Sequence, residues 1–112
     1  MVFAALPLAA DDTIDYMRDI KPVLKQRCYA CHGVLKNESS LRLDTVALAQ
    51  QGGDSGPAII PGNPIDSLLI ARITAEDAAT RMPPEGEPLT ADQIARLSTW
   101  IEQGAAAPEN EQ

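Results

Sequence analysis

The sequence predicts an all-α fold in which several helices are joined by long loops. Three observations lead there. Helix start and stop signals recur along the 112 residues, and the last of them, Thr90 with Gln93, is a capping box. No set of alternating apolar residues is large enough for a sheet; Leu41-Arg42-Leu43 comes nearest and is very short. Finally, four aromatics, Phe3, Tyr16, Tyr29 and Trp100, make a thin core for a single small domain. Something beyond side chains is expected to brace it.

The elements follow in order. Thr13 can cap a helix that starts at Ile14, with Asp15 in its first turn and Ile14, Met17, Ile20, Val23 and Leu24 as its apolar stripe. Pro22 cannot donate to the carbonyl of Arg18, so the reading is either a kinked helix over 14–27 or a fresh helix near Pro22. Both versions deliver Cys28 at a helix end, and Gly33 supplies a turn just beyond. Residues 34–43 read as a loop around Asn37-Glu38-Ser39-Ser40. Asp44 is expected to cap a short helix over Thr45 to Gln51, which Gly52-Gly53 ends. Asp54 to Pro57 is turn material, Ala58 to Ile60 a brief apolar run, and Pro61-Gly62 another turn. Asn63-Pro64, a cap followed by proline, starts a helix that Leu68, Leu69, Arg72 and Ile73 carry to about residue 74.

The last helix is the best marked. Leu89 and Ile94 are spaced as a hydrophobic staple, Ile94, Leu97 and Ile101 share a face with Trp100 on its flank, and Gly104 closes the element. The domain is therefore placed at residues 13–106, with 107–112 expected to be a disordered acidic tail. Residues 1–12 read as a signal-peptide remnant or a disordered tail: Met1 to Ala10 is apolar and uncharged but far too short to span a bilayer. No transmembrane segment is expected.

Chemistry concentrates in five residues. Both cysteines and the single histidine fall in Cys28-Tyr29-Ala30-Cys31-His32. This is the C-x-x-C-H signature of covalent haem attachment. Two thiols add to the two porphyrin vinyls, and the adjoining imidazole reaches the iron as an axial ligand. Three other readings compete. A structural zinc site wants about four ligands, usually from two clusters, and there is no second cluster. A thioredoxin-like C-x-x-C wants a βαβ setting, which is absent. A plain disulfide closing so short a loop adds little stability.

A second axial ligand must come from elsewhere. Met82 stands in Arg81-Met82-Pro83-Pro84, 50 positions after His32. Prolines stiffen that loop and hold the residue before them extended. Met82 is the expected thioether ligand; the competing reading is a methionine that simply packs, with five-coordinate iron. Pro83 and Trp100 are candidate pocket residues, and Arg42 or Arg72 could pair with the haem propionates, with Arg42 favoured. Either arginine could equally be an ordinary surface cation.

Net charge is −7 with pI near 4.5, which excludes nucleic acid as a natural partner. An acidic surface is compatible with basic redox partner proteins, or is simply a soluble surface. No catalytic group stands out. The expected role is that of an electron carrier; the alternative is a haem-based small-ligand sensor in which Met82 gives way to a gas molecule.

Several blocks together resemble a known family. They are Asp19-Ile20-Lys21-Pro22-Val23-Leu24, Arg27 to Gly33, Leu41-Arg42-Leu43-Asp44, Gly52 to Ala58, Pro61 to Pro64 with Ser67-Leu68-Leu69, Arg81 to Pro84, and Leu89-Thr90 through Ala105. Over roughly residues 14–106 the chain resembles the class I c-type cytochromes, and more closely the planctomycete-type cytochrome c domain. The resemblance implies a class I cytochrome c-like fold whose N- and C-terminal helices pack near one covalent haem c. It implies thioethers at Cys28 and Cys31, with His32 and Met82 on the iron. It also implies that Ile20, Leu24, Leu97, Trp100 and Ile101 meet where those helices cross. Such a domain often opens a longer polypeptide, so the chain is read as a free carrier or as part of a multidomain protein, in a periplasmic or other extracytoplasmic location.

Overall fold

A computed structural model of the chain describes residues 13–111. The signal-peptide reading falls on residues outside that range. Five helical elements occur in order: α1, a π-helical stretch Tyr16–Ile20; α2, Lys21–Arg27; α3, Val46–Gln51; α4, Leu68–Ile73; and α5, Ala91–Glu102. A single 3₁₀ turn covers Glu38–Ser40. Among the described residues there is no strand, only isolated bridges between His32 and Asn37 and between Gly53 and Gly56. Leu41-Arg42-Leu43 pairs with nothing as a strand. No helix among the described residues is long and apolar enough to cross a membrane.

The first helix resolves the two alternatives left by Pro22. Pro22 has no N–H to give, and the turn before it widens: Lys21 N–H donates to Tyr16 O, five residues back. An α-helix then runs on with Pro22 in its first turn, where a missing donor costs nothing. The N-cap is Asp15, whose carboxylate accepts from Arg18 N–H at 2.8 Å, rather than Thr13. Likewise Thr45, not Asp44, caps α3, its hydroxyl accepting from Leu48 N–H at 3.2 Å.

The helix expected from Pro64 begins only at Leu68. The cause is Ser67, which is fully buried: its hydroxyl donates to Asn63 O at 2.8 Å and accepts from Ile60 N–H at 2.9 Å. That closes residues 60–67 into a turn of their own. The final helix matches expectation, with the Thr90–Gln93 capping box formed in both directions.

Ile20, Leu24, Leu97, Trp100 and Ile101 are all at most 1% exposed and lie in one core. Tyr16 stacks on Trp100 with ring centroids 5.3 Å apart. This is how the first and last helices meet. At the end of the domain, Ala105 is buried and Trp100 Nε1 donates to Ala106 O at 3.0 Å. A buried indole N–H needs an acceptor, and the Ala106 carbonyl supplies it. Within the 107–112 stretch, Glu111 reaches back to Lys21 and Tyr16.

Candidate functional site

The Cys28–His32 segment is itself wound into a turn. Cys28 N–H donates to Leu24 O at 2.8 Å, and His32 N–H donates to Cys28 O at 3.0 Å. Chain direction then reverses at Gly33. A Cβ at that position would lie 2.5 Å from Tyr29 O, so the backbone can pass over the turn only as glycine. The chain returns in a tight hairpin, with Gly33 N–H donating to Lys36 O and Glu38 N–H to Cys31 O.

His32 is oriented by its own far loop. Its Nδ1 lies 3.3 Å from Leu41 O, while its backbone carbonyl accepts from Leu43 N–H at 2.8 Å. A carbonyl only accepts, so Nδ1 carries the proton in this contact. In a neutral ring Nε2 then keeps its lone pair, the form in which imidazole binds a metal.

A cleft of about 390 Å³ opens beside this turn. It is bordered by Cys28, Cys31 and His32 on one stretch of chain and by Met82, Pro83 and Pro84 on another. Its apolar walls are Leu41, Leu43, Ala58, Leu68, Leu69 and Ile73. The volume sits within the usual range for cofactor sites, about 300–1,000 Å³. Met82 is held at the cleft by α4, because its N–H donates to Arg72 O at 2.9 Å, and the Met82–Pro83 peptide is cis.

Two predicted residues lie elsewhere. Arg42 does not border the cleft. Its guanidinium makes a two-pronged pair with Asp44, at 2.9 and 2.7 Å, and holds that carboxyl below its usual range. Trp100 is buried in the helix contact, away from the cleft lining. Arg72 does line the cleft, with no ion pair among the described residues. So does Arg27, which also donates to the Glu87 carbonyl and which sequence reasoning passed over. Its place immediately before Cys28, at the end of α2, was the available signal.

Cys28 and Cys31 are not joined in a disulfide. Burial pushes the Cys28 thiol up to about 11 despite the nearby Arg27 cation, so it stays protonated at neutral pH. Among the described residues no group of three or more His, Cys, Asp or Glu side chains could hold a metal ion by itself. The donors fit a different partner: a flat apolar ring system, two thiols for covalent anchoring, one imidazole, one thioether, and guanidinium groups for carboxylates. A haem has those features, and the residues present fit it.

A helical domain with a cleft so furnished is that of a c-type cytochrome. The Planctomycete cytochrome C family matches residues 28–86, over half of the chain, and the chain belongs to that family. Membership implies a covalent haem c. Among solved structures, the chain is similar to a Kuenenia stuttgartiensis hydrazine synthase at 25% identity and a TM-score of 0.55, over 90% of this chain. It spans 17% of that protein's chain. No curated protein matches.

Proposed function

We propose that this domain is a mono-haem electron-transfer module, acting on its own or within a longer protein. The observation that supports it most is the gathering of Cys28, Cys31 and His32 with Met82, 50 positions further along the sequence, around one apolar cleft. When bound, the haem supplies a one-electron iron couple, and methionine ligation favours the reduced form. The chain's own residues do the rest. Cys28 and Cys31 provide the thioether sulfurs, while His32 offers Nε2 because Leu41 O engages the other ring nitrogen. Met82 presents its sulfur from a loop pinned to α4 and stiffened by Pro83 and Pro84. Arg72 is the propionate partner, in place of Arg42, whose charge Asp44 already uses. Leu69 and Ile73 keep water from the site.

Haem attachment of this kind supports a location outside the cytoplasmic membrane, periplasmic or otherwise extracytoplasmic. Its partners are redox proteins. The test is expression with a c-type maturation system, followed by a denaturing gel stained for haem and a ferric spectrum. Covalent pigment with a low-spin spectrum and a sulfur-to-iron band supports the reading. Colourless protein overturns it, and avid carbon monoxide binding by the reduced protein would favour a ligand sensor.

A further inference from the structure

Tyr29 occupies a position that C-x-x-C-H leaves open between Cys28 and Cys31; covalent attachment asks for no aromatic there. Its neighbours Cys28, Cys31 and His32 line the cleft, and Tyr29 does not. Its ring packs instead against the apolar core, and its hydroxyl donates to Asp44 O at 3.3 Å. Burial of a large ring explains the packing. It does not explain the hydroxyl, since phenylalanine would bury the same ring.

The Asp44 carbonyl belongs to the stretch that receives His32. Residues 41–44 are tied to the Cys28–His32 turn by Tyr29 OH to Asp44 O, by Leu43 N–H to His32 O at 2.8 Å, and by His32 Nδ1 to Leu41 O at 3.3 Å. The last two bonds involve His32 itself, and the first is made independently of it. Lys21 Nζ, at the start of α2, donates to the same Asp44 oxygen at 3.3 Å. Two donors therefore fix one carbonyl, three residues beyond the carbonyl that the imidazole uses. Leu43, between them, is buried and bonded to the turn, which leaves little slack from Asp44 to Leu41.

We infer that Tyr29 is a positioning residue for the His32 imidazole, acting through residues 41–44. The inference rests on the reading above that His32 ligates the iron. A carbonyl held against Nδ1–H fixes the orientation of the ring and raises the basicity of Nε2. A more basic ligand favours the oxidised metal. By holding Asp44 O, the Tyr29 hydroxyl keeps Leu41 O within reach of Nδ1 and so sets the electron affinity of a centre it does not touch. Loss of the hydroxyl loosens that stretch, weakens the Nδ1–H bond and favours the reduced form.

The test compares the haem-loaded unmodified chain with Tyr29→Phe, with Lys21→Met, and with Thr90→Ala, which lowers stability at the α5 cap, away from the cleft. Potentiometry reads the iron couple, and proton NMR of the reduced protein reads exchange of the His32 Nδ1–H with water. Tyr29→Phe should shift the reduced-to-oxidised ratio about three-fold toward reduced at fixed potential, about 28 mV at about 59 mV per decade for one electron. Its Nδ1–H should exchange about three-fold faster, a modest effect on the scale of one hydrogen bond. Lys21→Met should move both readouts in the same direction, and Thr90→Ala neither.

An unchanged potential and exchange rate in Tyr29→Phe would make Tyr29 a packing residue and overturn the inference, leaving the carrier reading intact. Equal shifts in Thr90→Ala would overturn it as well, by tracing them to general loosening. A loaded His32→Ala chain with the spectrum of the unmodified protein would remove the ligand reading, and Tyr29's part with it.

Discussion

Glu111 Oε2 lies 2.6 Å from Lys21 Nζ, joining residues 90 positions apart with the glutamate side chain only 6% exposed. The same carboxylate accepts from Tyr16 OH and, through Oε1, from Val46 N–H at 2.8 Å. Lys21 in turn donates to Asp44 O at 3.3 Å and stands over the Tyr16 ring. One carboxylate thus ties the last described residue to α1, α2 and α3. The network is fully satisfied, the condition under which buried polar groups hold a structure together.

Replacing Glu111 with Ala should cost about 2 kcal/mol, because it leaves the Lys21 ammonium and Tyr16 hydroxyl short of a partner. The pH dependence has a definite sign. Burial alone would raise the Glu111 carboxyl, but the bonds from Lys21, Tyr16 and Val46 override it and leave it below its usual range. Its contribution is therefore complete above the unfolded carboxylate value, about 4.3, and is lost as pH falls through the folded one. Denaturant titrations at pH 7 and pH 3 check this: the gap between the two proteins should close in acid. A gap that persists at pH 3 would mean the loss is packing alone.

Met82→Ala should leave the haem attached while removing the sulfur ligand. The ferric sulfur-to-iron band should vanish, the reduced protein should bind carbon monoxide, and the potential should drop by on the order of 0.1 V or more. An unaltered spectrum would take Met82 off the iron.

The two cysteines are tested together. After expression with the maturation machinery, the Cys28→Ala, Cys31→Ala chain should yield any bound pigment to acidified organic solvent. Staining that survives a denaturing gel would place the attachment on another residue.

Arg42 and Arg72 make a matched pair of controls. Arg72→Gln should lower the reduction potential measurably, by tens of millivolts, since it removes a cation from the cleft wall. Arg42→Gln should instead cost stability, freeing an Asp44 carboxyl that its guanidinium now holds down. Potentiometry and thermal melts on both variants separate the two roles; the reverse pattern would restore Arg42 to the cofactor.

Thr90→Ala removes the side-chain half of the α5 capping box, whose hydroxyl accepts from Gln93 N–H at 3.1 Å. About 1 kcal/mol of stability should go with it, a fall of about 4–8 °C in Tm for a domain of this size. No spectral change should accompany it.

Those variants also mark where sequence was informative. Local chemistry was legible. The turn at Cys28–His32, the α5 capping box and the placement of Met82 on a stiff loop each depend on residues close together in the chain. What escaped depends on competition between partners. Arg42 sits two residues from Asp44, and that nearby carboxylate engages its guanidinium, which does not border the cleft. Trp100 reads from sequence both as a pocket candidate and as a residue of the helix crossing; it lies at the crossing, where its ring stacks on Tyr16 and its N–H turns to Ala106 O. Glu111, in a stretch read from its composition as a tail, meets a lysine and a tyrosine on the opposite end of the domain, a pairing that no local pattern encodes. The displaced starts of α1 and α3 have a similar origin, in which Asp15 rather than Thr13, and Thr45 rather than Asp44, captured the free amide, while α4 starts late because the Ser67 hydroxyl is bonded back to Ile60 and Asn63.

Met82 takes its backbone anchor from the carbonyl of Arg72, on the last turn of a six-residue helix. A substitution inside α4 that tilts this carbonyl would drag the loop with it, so a thioether proposed to ligate iron can be repositioned from a helix turn 10 residues upstream.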